Sequence, residues 1–491
     1  MLAACVALIG LSACGDGGSQ TVVASTETGP SPFISMMHVQ GINVGALTSV
    51  EYTIAPQPGS VSKPVHVEYS LAALRARGYL TSEKTLTVPV FGLYAGYQNQ
   101  VSVSLHMQGN ITVPLDLTIA TAPYVDPTGI YSQPQVLTAR VPGSELGFDF
   151  LYLKSGLGYP VILDTDGQIR WAVPGGPNST SSTLVGDQFA IGDSTEGMVH
   201  RIQLDGTVTA APLPPSDIYE FAHDIVASKL GLLAEVNRMV DGVYNVESNL
   251  IEMADSSSNT IRNHWDLGAI LSAYMSSHGD DPTQFVRPGV DWFHNNSAIY
   301  DPMDDTLIVS SRENFVIKID YSTGAIIWIL GDPTKYWYTF PSLRAKALTL
   351  APGGLYPIGQ HGLSITSGGL LMLFNDGYGS TNQPTGEPAG ESRTYSAVSA
   401  YSIDKASMTA QDVWDYDAGK TIYSALCSSS YEAAEKSLLL DYSFADGGKQ
   451  AILVGLNAAH ETVFSFQYPS SLCTTGWNAR PIALDDLQID Q

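Results

Sequence analysis

The segment IKIDYSTGAIIW, residues 317–328, decides the fold. Apolar residues alternate into Asp320, a Ser-Thr-Gly turn follows, and a second apolar run closes on Trp328. Asp suits that turn because its carboxylate accepts from the amides just ahead of it, and Gly suits it by taking a positive φ. The phrase recurs in degenerate form as ILDTDGQIRW (162–171), IQLDGTVTA (202–210), IEMADSSSNTIRNHW (251–265), YSIDKASMTAQDVW (401–414) and VGLNAAHETVF (454–464). Six such hairpins at intervals of about 60 residues predict a six-bladed β-propeller. Each phrase then forms the outer hairpin of a blade, with the Trp filling the space between blades.

The propeller is expected over residues 125–491, its first stretch (125–135) a linker. Ahead of it, VEYTIAP (50–56), KPVHVEYS (63–70), TLTVPVF (85–91), QVSVSLHM (100–107) and ITVPLDLTI (111–119) alternate with period two. That pattern predicts a small antiparallel β-sandwich over residues 32–124, making the chain all-β. The formal charge is −25, from 23 basic and 48 acidic residues, and charged residues make up 14% of the chain. An average domain carries about 25%. So few cations cannot build the basic stripe that nucleic acid requires, and no nucleic-acid partner is expected. Anionic lipid surfaces are excluded on the same ground.

The opening MLAACVALIGLSAC (1–14) is apolar but shorter than the ~20 residues that span a bilayer. It reads as the h-region of a signal peptide, although no Lys or Arg precedes it. Leu11-Ser12-Ala13-Cys14 resembles a lipobox, whose Cys is lipidated, and residues 15–31 supply a small, polar tether. Membrane contact is therefore expected only through a lipid anchor at Cys14; a plain secretory signal is the other reading. Cys427 and Cys473 are the remaining cysteines. In an exported protein two such thiols form a disulfide, the alternative being two separate buried thiols.

Three histidines stand at one repeat position. EFAHDIVASKLGLLAEVN (220–237) carries His223, DWFHNNSAIYDPMDDTLIVSSR (291–312) carries His294, and IGQHGLSITSGGLLMLFND (358–376) carries His361. Each opens an apolar strand, and the following strand ends in Asn237, Arg312 or Asn375. In an antiparallel pair the start of one strand lies beside the end of the next, so each of these polar residues is expected close to its His. The first strand of a blade lines the channel, which places three His and one Arg on one rim, a setting for an anion. Three His could instead bind zinc, but no supporting Asp or Glu is evident and Arg312 would oppose a dication. Buried histidines satisfied by backbone groups are the remaining reading.

The propeller half, from Gly147 to Tyr442, resembles the bacterial arylsulfate sulfotransferases. The resemblance lies in DWFHNNS (291–297), LIVSSRENFVIKIDYSTGAIIWILGDP (307–333), AHDI (222–225), GQH (359–361) and LLMLFNDG (370–377). The sandwich is similar to that family's N-terminal domain. The resemblance implies a periplasmic six-bladed propeller that moves a sulfuryl group from a phenolic sulfate ester to a phenol acceptor, by ping-pong chemistry and without a nucleotide donor, cofactor or metal. It makes His361 the nucleophile that becomes sulfated. His223, His294 and Arg312 would grip the sulfuryl and bridging oxygens, and Asn296 would bind a further oxygen. His223 or His294 would be the acid/base. Gly362 follows His361 where many relatives carry an acidic residue, which leaves the orientation of His361 open. Two rival readings are a non-catalytic binding propeller and a hydrolase, either a sulfatase or a sialidase-like enzyme; the last needs three arginines where only Arg312 stands. The sequence leaves open whether the chain forms a homodimer.

Overall fold

Each repeated phrase folds on its own turn. In the computed structural model Asp320 accepts hydrogen bonds at Oδ1 from the Ser322 and Thr323 amides at 3.1 and 2.8 Å and from both hydroxyls, and Gly324 takes φ 69°. Asp164, Asp205, Asp404 and Asn457 accept from amides two to four residues ahead in the same way. The strands on either side of each turn then pair antiparallel, as Val316–Asp320 does with Ile326–Leu330. The structure describes residues 6–7, 22–80, 85–193, 195–214 and 218–490, so Cys14 lies outside the described residues.

These hairpins are the outer halves of six sheets of four or five strands. The innermost strands are β1 (Ser182–Val185), β2 (Ile218–Ser228), β3 (Asn295–Asp301), β4 (His361–Ile365), β5 (Ser429–Glu432) and β6 (Asn478–Ile482). Consecutive members from β1 to β6 pack side by side in chain order. β6 pairs with Phe150–Lys154, completing the sheet that the chain began about three hundred residues earlier, so the first and last parts of the propeller lock together. The repeat tryptophans bridge neighbouring sheets: Trp171 donates to the Leu204 carbonyl and Trp265 to the Tyr321 carbonyl, at 2.9 and 3.0 Å.

Two further sheets form the N-terminal sandwich. One holds Val23–Thr28, Ile34–Gln40 and Leu86–Phe91; the other holds Leu47–Ile54, Val65–Ser70, Gln98–Met107 and Ile111–Ala120. Their inward residues share a core with Trp171, Phe189 and Ile202 of the first two propeller sheets. One strand crosses the expected boundary at residue 125. Leu487–Ile489 returns from the propeller to pair parallel with Val65–Ser70, because β6 ends beside the sandwich. The expected linker likewise ends in a strand, Gln135–Thr138, on the edge of the last sheet. Cys427 and Cys473 are joined in a disulfide with Cα atoms 6.5 Å apart.

Candidate active site

Three neighbouring inner strands, β2, β3 and β4, carry the three histidines, and each is irregular there. On β2, Ala222, His223 and Asp224 stand opposite the single residue Glu235. On β3, Asn296 is the extra residue, and on β4 the register slips just after His361. Such bulges re-aim side chains that a regular pleat would send to alternate faces. The result is one cluster: the His223 ring lies 4.8 Å from His294 and 6.4 Å from His361, centroid to centroid. Trp477, just ahead of β6, stacks on His223 at 5.3 Å.

Arg312 lies beside His294, as the hairpin geometry requires; its amide donates to the His294 carbonyl at 3.0 Å. Arg312 is 3% exposed and gives Nη1 to Glu313 at 2.8 Å, while its Nε and Nη2 are buried with no hydrogen-bond partner among the described residues. A buried edge of N–H donors left open is costly unless an anion completes it. Glu313 also accepts from the Thr381 and Asn382 amides, latching the loop that follows Asp376 over the guanidinium, with Tyr378 5.5 Å from it.

Asn237 and Asn375 do not reach their histidines. Asn237 instead accepts from the Glu247 amide at 2.7 Å, and Asn375 from the Ile358 amide at 2.9 Å, so both hold backbone that borders the site. The bulges cause this, by shifting the strand ends relative to a regular hairpin. Asn296 donates to the Gln360 carbonyl at 2.9 Å and so sits against the residue before His361.

His361 is oriented from two sides. Its Nδ1 is 3.0 Å from the Gly359 carbonyl and 2.6 Å from Asp376 Oδ2. A carbonyl only accepts, so Nδ1 carries the proton and the Nε2 lone pair stays free. Burial holds the His361 pKa well below the usual imidazole range, and Arg312, His223 and His294 add to the effect, so the ring is neutral. Burial likewise pushes the Asp376 carboxyl up, with Arg312 and Ser428 drawing it back. Asp376 therefore does what the sequence left open at Gly362: the orienting carboxylate comes from the end of the neighbouring strand, and Gly362 takes φ 59° in the bulge.

His294 is the opposite case. Its Nδ1 lies 2.6 Å from Asp291 Oδ2 and 2.9 Å from Glu247 Oε2. Burial works against its charge, but the Glu247 and Asp291 carboxylates outweigh it and hold its pKa up at about 10. Glu247 Oε2 is also 3.2 Å from His223 Nε2. His223, Glu247 and His294 thus present donor atoms within 4.8 Å of one another, a set able to hold a metal ion. The carboxylate that the zinc reading lacked is present.

Glu247, Asp291, Asp376 and Trp477 were missed in the sequence. Asp291 and Asp376 lie inside motifs quoted above, three residues before His294 and one after Asn375. Glu247 lies on another strand, where residues 246–248 face the single Asn237, and nothing in NVES marks it. Both Glu247 and His294 take left-handed backbone, φ 43° and 54°. Non-glycine residues hold such angles where the surroundings impose them, commonly at functional sites.

Residues 143–478 match the family model described as arylsulfotransferase (ASST), and residues 39–122 match the arylsulfotransferase Ig-like domain. The chain belongs to the arylsulfotransferase family. It is 24% identical over 460 residues to an arylsulfate sulfotransferase of Escherichia coli O6:H1, covering 72% of this chain and 75% of that one. An arylsulfate sulfotransferase of Lelliottia amnigena is 24% identical over 463 residues, with the same coverage. Among solved structures, a Xanthomonas campestris gluconolactonase aligns with TM-score 0.31 and 9% identity, over 70% of this chain and 91% of that chain. BamB of Moraxella catarrhalis aligns with TM-score 0.28 and 11% identity, over 77% and 96%. The arylsulfotransferase match spans every residue of the His and Arg312 cluster.

Proposed function

We propose that this arylsulfotransferase moves a sulfuryl group from a phenolic sulfate ester to a phenol in two half-reactions, through a sulfohistidine on His361. The observation that carries the reading is the pairing of a neutral His361, its proton fixed on Nδ1, with the open, buried N–H edge of Arg312. One is a nucleophile and the other a receptor for a singly charged sulfate ester. In the first half-reaction Nε2 attacks sulfur, an N–S bond forms, and the bond from sulfur to the aryl oxygen breaks. The aryl oxygen keeps the electron pair and takes a proton from His223 or His294. The second half-reaction runs in reverse with the acceptor phenol.

By analogy with phosphoryl transfer, positioning and charge stabilisation supply most of the rate. Arg312 presents a planar fork to the equatorial oxygens, and the imidazoles and Asn296 border the same space. N-sulfation makes the His361 ring cationic, and Asp376 and the Gly359 carbonyl at Nδ1 stabilise that charge.

The test is release of 4-nitrophenol from 4-nitrophenyl sulfate with and without phenol. Transfer predicts strong release only with phenol. Equal release in water would make the enzyme a sulfatase, and no release under either condition would refute an enzymatic role for the cluster.

We further propose that the protein faces the periplasm on a lipid anchor at Cys14. The apolar opening supports this, as does the Cys427–Cys473 disulfide, a bond that persists in oxidising compartments. Cys14→Ala should move the protein from the membrane fraction to the soluble extract; retention on the membrane would sink the anchor.

A further inference from the structure

We propose that His223, Glu247 and His294 form a site for a divalent transition-metal ion such as zinc, and that an ion bound there shuts off sulfuryl transfer by taking the nitrogens that the donor needs. The binding half stands on geometry alone; the inhibition rests on the sulfuryl-transfer reading above.

Two imidazole nitrogens approach one carboxylate oxygen. Glu247 Oε2 lies 2.9 Å from His294 Nδ1 and 3.2 Å from His223 Nε2, and the three donor atoms lie within 4.8 Å of one another. Zinc holds nitrogen and oxygen ligands at about 2.0–2.2 Å, so the ligand atoms of a tetrahedral site stand about 3.4 Å apart. Both contacts to Glu247 are close to that spacing. The two imidazole nitrogens draw together by up to about 1.4 Å when an ion binds, from at most 4.8 Å, by rotation of the rings.

Hydrogen bonds do not complete this cluster. His223 is 9% exposed, and neither of its nitrogens nor Glu247 Oε2 has a hydrogen-bond partner among the described residues. Buried polar atoms left open in one place are costly. The sulfate ester cannot serve all of them, because its oxygens only accept and so does a carboxylate oxygen. A cation can.

The surroundings suit a dication. Asp291 Oδ2, 2.6 Å from His294 Nδ1, stands in place as a fourth ligand, and Asn382 Nδ2 donates to it at 3.2 Å. Two carboxylates and the ion sum to zero charge, and the proton on His294 Nδ1 leaves to solvent. The Arg312 charge, which counted against a dication on sequence grounds, is met by Glu313 at 2.8 Å. Glu247 and His294 both hold left-handed backbone, and Asn237 Oδ1 accepts from the Glu247 amide, which sets the carboxylate between the rings. Trp477 sets the plane of the His223 ring. Two imidazoles with a carboxylate favour zinc, copper and nickel over calcium and magnesium. An ion on His223 and His294 removes both candidates for the acid/base and fills space that the sulfuryl group needs, so ion and donor exclude each other.

Binding and inhibition are measured separately. Metal-free protein titrated with zinc chloride in a calorimeter should take up one ion per chain. Glu247→Gln and His223→Gln should each weaken that binding by more than about 100-fold, beyond what losing a partner behind a ligand costs. Cobalt(II) added to wild type should give the intense visible absorption of a four-coordinate ion, a readout that stands even where a variant does not fold. In the transfer assay with 4-nitrophenyl sulfate and phenol, zinc should inhibit, excess donor should relieve the inhibition, and EDTA should restore the full rate. No zinc uptake, uptake unchanged in both variants, or the pale spectrum of six-coordinate cobalt would overturn the site. Loss of activity on chelation, restored by zinc, would overturn the inhibitory role and make the ion part of the catalyst. If wild type transfers no sulfuryl group at all, the functional reading fails while the zinc titration still decides the site.

Discussion

Replacing Asp376 by Asn isolates what the acidic side chain beside His361 does. The side chain keeps its shape and loses the ability to ionise when sulfation makes the ring cationic, at a fully buried position 2.6 Å from His361 Nδ1. A charge-assisted contact of this kind contributes about 1.5–3 kcal/mol. At 1.36 kcal/mol per factor of ten, the loss in kcat is about 10- to 150-fold. The loss stays well short of the ~10⁴-fold seen in a catalytic triad whose carboxylate alone orients the histidine. The reason is the Gly359 carbonyl at 3.0 Å, which still keeps the proton on Nδ1. KM for the donor should change little, since Asp376 acts through His361. The assay is the initial rate of 4-nitrophenol release at saturating donor and phenol, with a burst measurement to separate sulfation of His361 from its turnover. A variant with more than half the wild-type kcat would refute the charge-stabilising role. A loss near 10⁴-fold would refute the claim that Gly359 fixes the tautomer.

His361→Ala should abolish transfer while leaving the circular dichroism spectrum unchanged, and wild-type protein given donor without acceptor should gain the mass of one SO3 group on the peptide holding His361; normal turnover by the variant would make another residue the nucleophile. Arg312→Lys keeps the charge but loses the planar fork, so kcat/KM should fall by about 100-fold, and a loss under threefold would mean that the open guanidinium edge does not face the sulfuryl group. Removing the disulfide with the Cys427→Ser, Cys473→Ser pair releases a loop of 46 residues, a destabilisation of about 4 kcal/mol in the chain-entropy model. All seven tryptophans lie in the propeller half, so their fluorescence during urea unfolding reports on that half, and a change below about 1 kcal/mol would contradict the loop-entropy account.

The repeat was legible in the sequence because it is local. Asp320, Gly324 and Trp328 act within a dozen residues of one another, so the turn chemistry and the alternation carry the blade by themselves. The histidines were legible for a related reason. A fixed place in each repeat becomes a fixed place on the channel, and His223, His294, His361 and Arg312 needed only the hairpin rule to be put together. That rule failed at Asn237 and Asn375, where the bulges carry the strand ends away from the histidines, while the Asn296 bulge leaves Arg312 beside His294; a bulge has no mark in composition.

What remained hidden was every carboxylate partner and with it the charge on His294 and His361. Glu247 comes to His223 and His294 from a different strand through an irregular stretch, and Trp477 arrives on the segment leading into the last inner strand. The parallel strand Leu487–Ile489 joins the sandwich across most of the length of the chain. Sequence by itself determined the fold class, the inner-strand placement of the histidines and the place of Arg312 beside His294. Only the tertiary structure decided which imidazole is neutral and which is charged. Protonation follows burial and the distance to the nearest carboxylate, and those are set by ring closure between residues far apart in the chain.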